Sequence, residues 1–142
     1  MNTETNQNDR SLLDALVQLS FTIHSILGRV GADHDLSIIQ IRLLGILRDR
    51  EPSMLELANY LNLDKSSITG LIDRAERRGL VQRIVSPKDR RGFNVKVTPV
   101  GIQLIQVVGH EIYSQIEAIT TPLTSSERSQ MTDLASKILN SN

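Results

Sequence analysis

The 142-residue sequence predicts a mainly α-helical protein carrying one small β-hairpin. Three observations lead there. Apolar residues recur in alternating steps of three and four over most of the chain, which is the helical period. One stretch departs from it: the strand-like runs Val81 to Val85 and Phe93 to Thr98 flank Ser-Pro-Lys-Asp-Arg-Arg-Gly, a segment with turn chemistry. Finally, Pro52, Pro87, Pro99 and Pro122 all fall between periodic segments and break none of them.

Residues 1–10 are polar and expected to fray. A first helix is expected from Leu12, with a narrow seam of Leu12, Leu16, Leu19, Ile23, Ile26 and Val30, broken over Gly31 to Asp35. Ser37 with Gln40 makes a capping box that opens a second helix through Leu44, Leu47 and Arg48. Ser53 with Glu56 makes another, opening a short helix through Leu55, Leu57, Ala58 and Leu61. Asn62 and Leu63 form a turn, and Asp64 caps the next helix, whose apolar face is Ile68, Leu71, Ile72 and Ala75. Gly79 ends that helix in a left-handed cap. After the hairpin, Thr98 caps a helix with Pro99 at its first position and a seam of Ile105, Val108, Ile112, Ile116 and Ile119. Thr124 with Glu127 opens the last helix, through Met131, Leu134, Ala135 and Ile138.

The order is α-α-α-α-β-β-α-α. The division expected is an N-terminal helical region over 1–36, a central lobe over 37–99 and C-terminal helices over 100–142, within one structural domain. The seams of the terminal helices have two solutions: packing on each other and on a second copy of the chain, which is favoured, or an ordinary intramolecular bundle.

Composition bounds the function. Hydrophobic content of 39% and charge of 23% describe a globular chain with enough length for a core. Sixteen basic and sixteen acidic residues cancel, yet the charge is unevenly spread. Between Lys65 and Lys96 nine basic residues face three acidic ones, a net of +6, which leaves −6 elsewhere. Screening makes such a local basic face effective on a neutral protein. The absence of cysteine excludes disulfides, thiolate metal sites and thiol redox sensing. No secretory h-region is expected at the N-terminus, nor an apolar run approaching the ~20 residues of a membrane helix, so a cytoplasmic protein without cofactor is expected. His24, His34 and His110 lie on separate elements without metal-ligand spacing, and no phosphate loop or nucleophile elbow is present, which argues against an enzyme.

Residues 53–79 have the helix-turn-helix layout, and the hairpin behind them makes a winged helix. If the apolar face of the second helix is buried, then Lys65, Ser66, Ser67, Thr69, Gly70, Asp73 and Arg74 face outward. Short side chains let a helix seat deeply in a major groove; Ser66, Ser67 and Thr69 suit phosphates or base edges, and Lys65 a phosphate. Gly70 lowers helix propensity, which close approach to a partner would explain. Lys88, Arg90 and Arg91 crowd the hairpin tip, where like charges gain nothing without an anionic partner, and arginine suits a narrow minor groove. Asp89 is expected to pair with a neighbouring arginine and fix its direction. Arg83 is counted with the DNA-facing cations.

These residues carry a resemblance. Leu80-Val81-x-Arg83, Asp89-Arg90-Arg91 and Val95-x-Val97-Thr98-x-x-Gly101 resemble the wing of the MarR family of bacterial transcriptional regulators. Ser67-x-Thr69-x-x-Ile72-Asp73-Arg74 before Gly79-Leu80-Val81 resembles its recognition helix, and Ser37-x-x-Gln40-x-x-Leu43-Leu44 the start of its second helix. The resemblance implies a homodimer of winged helix-turn-helix lobes on an all-helical dimerisation region. It implies binding to a pseudo-palindromic operator on double-stranded DNA, usually in repression, with Arg91 in the minor groove. It also implies a small phenolic or anionic effector, for which His24 and Arg42 are candidate contacts. The alternative reading is a winged-helix module for protein–protein contact without DNA binding.

Overall fold

The computed structural model describes residues 3–141. Six helices and two strands follow in the order α1 (Thr3–Asp33), α2 (Ile38–Leu47), α3 (Met54–Leu61), α4 (Lys65–Arg77), β1 (Val81–Val85), β2 (Phe93–Val97), α5 (Pro99–Thr120) and α6 (Ser125–Asn140).

Local chemistry sets most of the boundaries. All three capping boxes form: Ser37 with Gln40, Ser53 with Glu56 and Thr124 with Glu127. Asp64 accepts the Ser67 N–H at 2.7 Å, and Thr98 accepts that of Gly101 at 3.1 Å. These oxygens satisfy amide donors that a helix N-terminus leaves unpaired. Asn62 (φ 53°) turns the chain between α3 and α4, and Gly79 (φ 72°) ends α4.

α1 departs from expectation at both ends. It already runs from Thr3 through residues expected to fray, because nothing in that polar stretch breaks a helix; residues 1 and 2 lie outside the described part. Gly31 lies inside α1 rather than breaking it. A Cβ at Gly31 would stand 2.4 Å from the Leu36 carbonyl oxygen, so glycine is there to let the next turn fold back closely. The stop comes at Asp35 (φ 54°), where the Leu36 N–H reaches back to the Gly31 carbonyl at 2.8 Å. By length and composition Asn6–Asp33 also suffices to cross a bilayer, contrary to the expectation from uninterrupted apolar runs. Polar residues interrupt its apolar ones without much lowering the average.

The core is one cluster built from α1 to α5. Leu43, Leu57, Ile72 and Val95 are fully buried at its centre, and Ile68, Leu71 and Ala75 present α4 to it as the periodicity predicts. β1 and β2 pair antiparallel from Val81–Val97 to Val85–Phe93. The segment before α3 joins this hairpin as a short third edge. Ser53 bridges Asn94, the Val95 N–H donates to the Pro52 carbonyl at 2.9 Å, and Asn94 Nδ2 donates to the Glu51 carbonyl at 3.0 Å. Gly101 lets α5 pass against the end of the wing, since a Cβ there would stand 2.2 Å from the Leu80 carbonyl oxygen.

The terminal helices extend beyond this core. Ile26 and Val30 of α1 are buried, but Leu12, Leu16, Leu19 and Ile23 of the same seam are exposed. On α5 only Gly101 and Val108 are buried, and on α6 no residue is.

Candidate nucleic-acid interface

The outward face of α4 carries Lys65, Ser66, Ser67, Thr69 and Arg74, all exposed, as their spacing predicts. The buried residues between them hold that face toward solvent. Two hydroxyls are already oriented: Ser66 Oγ donates to Asp64 Oδ1 at 3.0 Å, and Thr69 Oγ1 donates to the Lys65 carbonyl at 2.8 Å. Their oxygens remain able to accept. Gly70 has no intramolecular backbone or core neighbour that would forbid a Cβ. The nearest atom is Arg74 Nη1 at 3.3 Å, the end of a flexible side chain. Packing within the chain therefore does not require glycine at this position.

The wing tip is a small built turn. The Ser86 N–H donates to the Gly92 carbonyl and the Gly92 N–H to the Asp89 carbonyl, each at 3.0 Å. Ser86 Oγ accepts from the Lys88 and Asp89 amides at 3.4 Å. Ser86, the residue before Pro87 that opens the turn segment, thereby organises the tip. Asp89 does engage a neighbouring arginine, through that residue's main chain. Its Oδ1 accepts the backbone N–H of Arg91 at 3.0 Å, so it braces the main chain that carries Arg91. Among the described residues the side chains of Lys88, Arg90 and Arg91 make no ion pair.

Arg83 has carboxylate partners of its own within the chain. Its guanidinium donates to Asp73 Oδ1 at 2.7 Å and also to Glu76, and its own N–H reaches Glu76 Oε2 at 3.3 Å. Two carboxylates on α4 hold it, so it fastens the wing to the recognition helix while lining the groove between them. Charge counted along the chain does not show which of the charges neutralise each other. Asp73, expected to face outward, is one of these two partners.

α4 and the wing share one open groove of about 870 Å³. Lys65 and Thr69 line it from the helix, Asp89 and Arg91 from the tip, and Met54, Leu55 and Phe93 from its floor and side. At the start of α4, the amide and hydroxyl of Ser67 together with Ser66 hold the Asp64 carboxyl below its ordinary value of 3.8.

The two candidate effector residues are not brought together. His24 is exposed on α1 and lines none of the cavities described. Arg42 lines a cavity of about 480 Å³ with Leu27, Ile41, Ile46, Arg48 and Tyr60. A separate cavity of about 340 Å³ lies between α2 and α5, with Ile41, Arg48, Ile105 and Ile112 in its wall.

Fold and face together define the class: a DNA-binding transcriptional regulator of the winged helix-turn-helix type. Comparison with known proteins narrows this to a family. The MarR family profile matches residues 34–92. The homoprotocatechuate degradative operon repressor of Escherichia coli is 32% identical over 134 residues, 91% of this chain and 88% of that protein. The HTH-type transcriptional regulator PecS of Dickeya dadantii is 27% identical, with 89% of this chain and 79% of that protein aligned. Two further regulators are matched over only 49% and 59% of their own length. Among solved structures, the transcriptional regulator BldR from Sulfolobus solfataricus superposes with a TM-score of 0.82 over 100% of both chains at 24% identity, which shows a shared fold. The chain belongs to the MarR family, and it is a regulator rather than an enzyme.

Proposed function

We propose that the protein is a cytoplasmic homodimer that binds a pseudo-palindromic operator and represses transcription until a small effector releases it. The observation that carries the DNA reading is the shared groove: a small polar helix face on one side and an unpaired, main-chain-braced Arg91 on the other. A recognition helix in the major groove with a wing arginine in the adjacent minor groove satisfies both. Lys65, Ser66, Ser67, Thr69, Gly70 and Arg74 belong to the helix part of that contact, and Lys88, Arg90 and Arg91 to the wing, with Asp89 as brace. Residues 1–36 and 100–142 would form the dimerisation region around the 37–99 lobe.

Repression is supported by the kinship with an operon repressor. An anionic or phenolic effector is supported by the mainly apolar α2–α5 cavity with Arg48 in its wall and by the more polar cavity lined by Arg42, both of a size that suits small molecules.

The test is duplex binding across a salt series with wild type and Arg91→Ala. The expected result is a steep loss of affinity with salt for wild type. The variant should bind about tenfold more weakly with an unchanged Tm, as one arginine contact is worth roughly 1–3 kcal/mol. Equal affinities would overturn the wing assignment, and no duplex binding at low salt would overturn the DNA reading.

A further inference from the structure

Besides the Arg83 bridge to the wing, two further ties hold the C-terminus of α4. The first is the wing-to-α5 junction, where Thr98 Oγ1 donates to the Gly79 carbonyl at 2.6 Å and the Thr98 N–H to the Leu80 carbonyl at 3.0 Å. The second is Arg78, the C-cap of α4. Its Nη1 donates to the Asp35 carbonyl at 2.6 Å and its Nη2 to the His34 carbonyl at 3.0 Å. Those carbonyls belong to the turn that ends α1, a helix with no basic residue in its own last turn. A helix C-terminus leaves carbonyls unpaired and carries partial negative charge, so a guanidinium fork is a fitting cap there. Here the cap comes from the recognition helix, more than forty residues away in sequence.

The same turn is held from a third side. His34 Nε2 lies 3.2 Å from both carboxylate oxygens of Glu111 on α5. His34 is thus a node: its ring meets α5 and its carbonyl meets the recognition helix. Arg78 is thus a polar tie between the end of α4 and the end of α1, added to the core contacts that Ile68, Leu71, Ile72 and Ala75 already make.

We propose that Arg78 is a positioning residue that fixes the angle of the recognition helix against α1, and so sets the half-site spacing the protein accepts on DNA. This rests on the dimeric DNA-binding reading above. In a two-fold dimer the terminal helices hold the lobes apart, and the angle of each lobe decides where its recognition helix meets the groove. Arg78 does this without touching DNA, because its fork is engaged by main-chain oxygens.

The test begins with duplexes selected by the full-length wild type from a random pool. Each is then remade with one base pair inserted or removed at its centre. Affinities for the three spacings are measured for wild type, Arg78→Gln, Arg78→Lys and Glu111→Gln. Wild type should prefer the selected spacing. Arg78→Gln should lose about tenfold of that preference, the scale of one charge-assisted hydrogen bond, with an unchanged salt slope on non-specific DNA. Arg78→Lys should restore part of it, and Glu111→Gln should lose less in the same direction. A common loss at all spacings, or none, overturns the positioning role. A salt slope lower by about 0.9 makes Arg78 a phosphate contact instead. Should Arg78→Gln fail to fold, Arg78→Lys and Glu111→Gln carry the same comparison. Selection of no DNA by wild type overturns the DNA reading itself; selection without any spacing preference overturns the dimer reading and the positioning role with it.

Discussion

Gly101 and Asp64 show how single residues support the DNA-facing surface without belonging to it. A Cβ at Gly101 would press on the Leu80 carbonyl at 2.2 Å and on Val97 Cγ2 at 2.6 Å, and a backbone oxygen cannot rotate away. Gly101→Ala should therefore destabilise the fold by about 1–3 kcal/mol, read from denaturant unfolding; an unchanged midpoint would mean that α5 shifts freely against the wing. Asp64 accepts the amide of Ser67 at the start of α4, and that bond and the Ser66 and Ser67 hydroxyls lower its pKa. A depressed carboxylate lends stability that is present above its unfolded value of 3.8 and lost as pH falls through the folded value. Asp64→Ala should lower Tm at neutral pH, with the gap to wild type closing once the pH drops below that range. Asp64→Asn should retain most of the cap, since asparagine caps as well. A gap that stays constant down to acid pH would contradict the ionised cap.

The wing and recognition helix behave as one element because Arg83 joins them. Its side chain is 20% exposed and bridges Asp73 and Glu76, both in the last stretch of α4. Arg83→Ala would leave two carboxylates side by side and should cost about 2 kcal/mol by chemical denaturation, the scale of bonds between charged partners. The salt slope of DNA binding should not change. The opposite pattern, intact stability with a slope lower by about 0.9, would return Arg83 to the set of phosphate contacts. The remaining cations of the basic stretch sort in the same way. Arg78 caps α1, Lys96 lies 3.7 Å from Glu51, and the wing tip and the N-terminal face of α4 are left to meet an anion.

Taken whole, the chain has a core that ends before its terminal helices do. α6 has 16 residues and buries none of them, and Met131, Leu134 and Ile138 are 44%, 63% and 56% exposed. A helix of that length is marginal in water unless an apolar face is packed. The exposed Leu12, Leu16 and Leu19 of α1 pose the same demand. Packing on a second copy, as in the dimer proposed above, would meet both. Leu134→Glu and Leu16→Glu should shift the protein from dimer to monomer in sedimentation equilibrium and weaken operator binding far more than binding to a single half-site. Wild type sedimenting as a monomer at micromolar concentration would sink this arrangement.

What the sequence alone determined was everything governed by neighbours along the chain. Ser37, Ser53 and Thr124 with their partners three residues on, Asp64, Asn62, Gly79 and the Thr98-Pro99 pair set the element boundaries, because capping acts within one turn. The period of Ile68, Leu71, Ile72 and Ala75 likewise determined which face of α4 looks outward. Only the tertiary structure decided which charges are free. Arg83 and Arg91 read alike along the chain, yet the fold places two carboxylates against one and only a main-chain brace beneath the other. It also decided why Gly31 and Gly101 are glycines, and that Arg78 closes the end of α1. Each of these depends on atoms distant in sequence meeting within a few ångströms, and neither local propensity nor periodicity carries that distance.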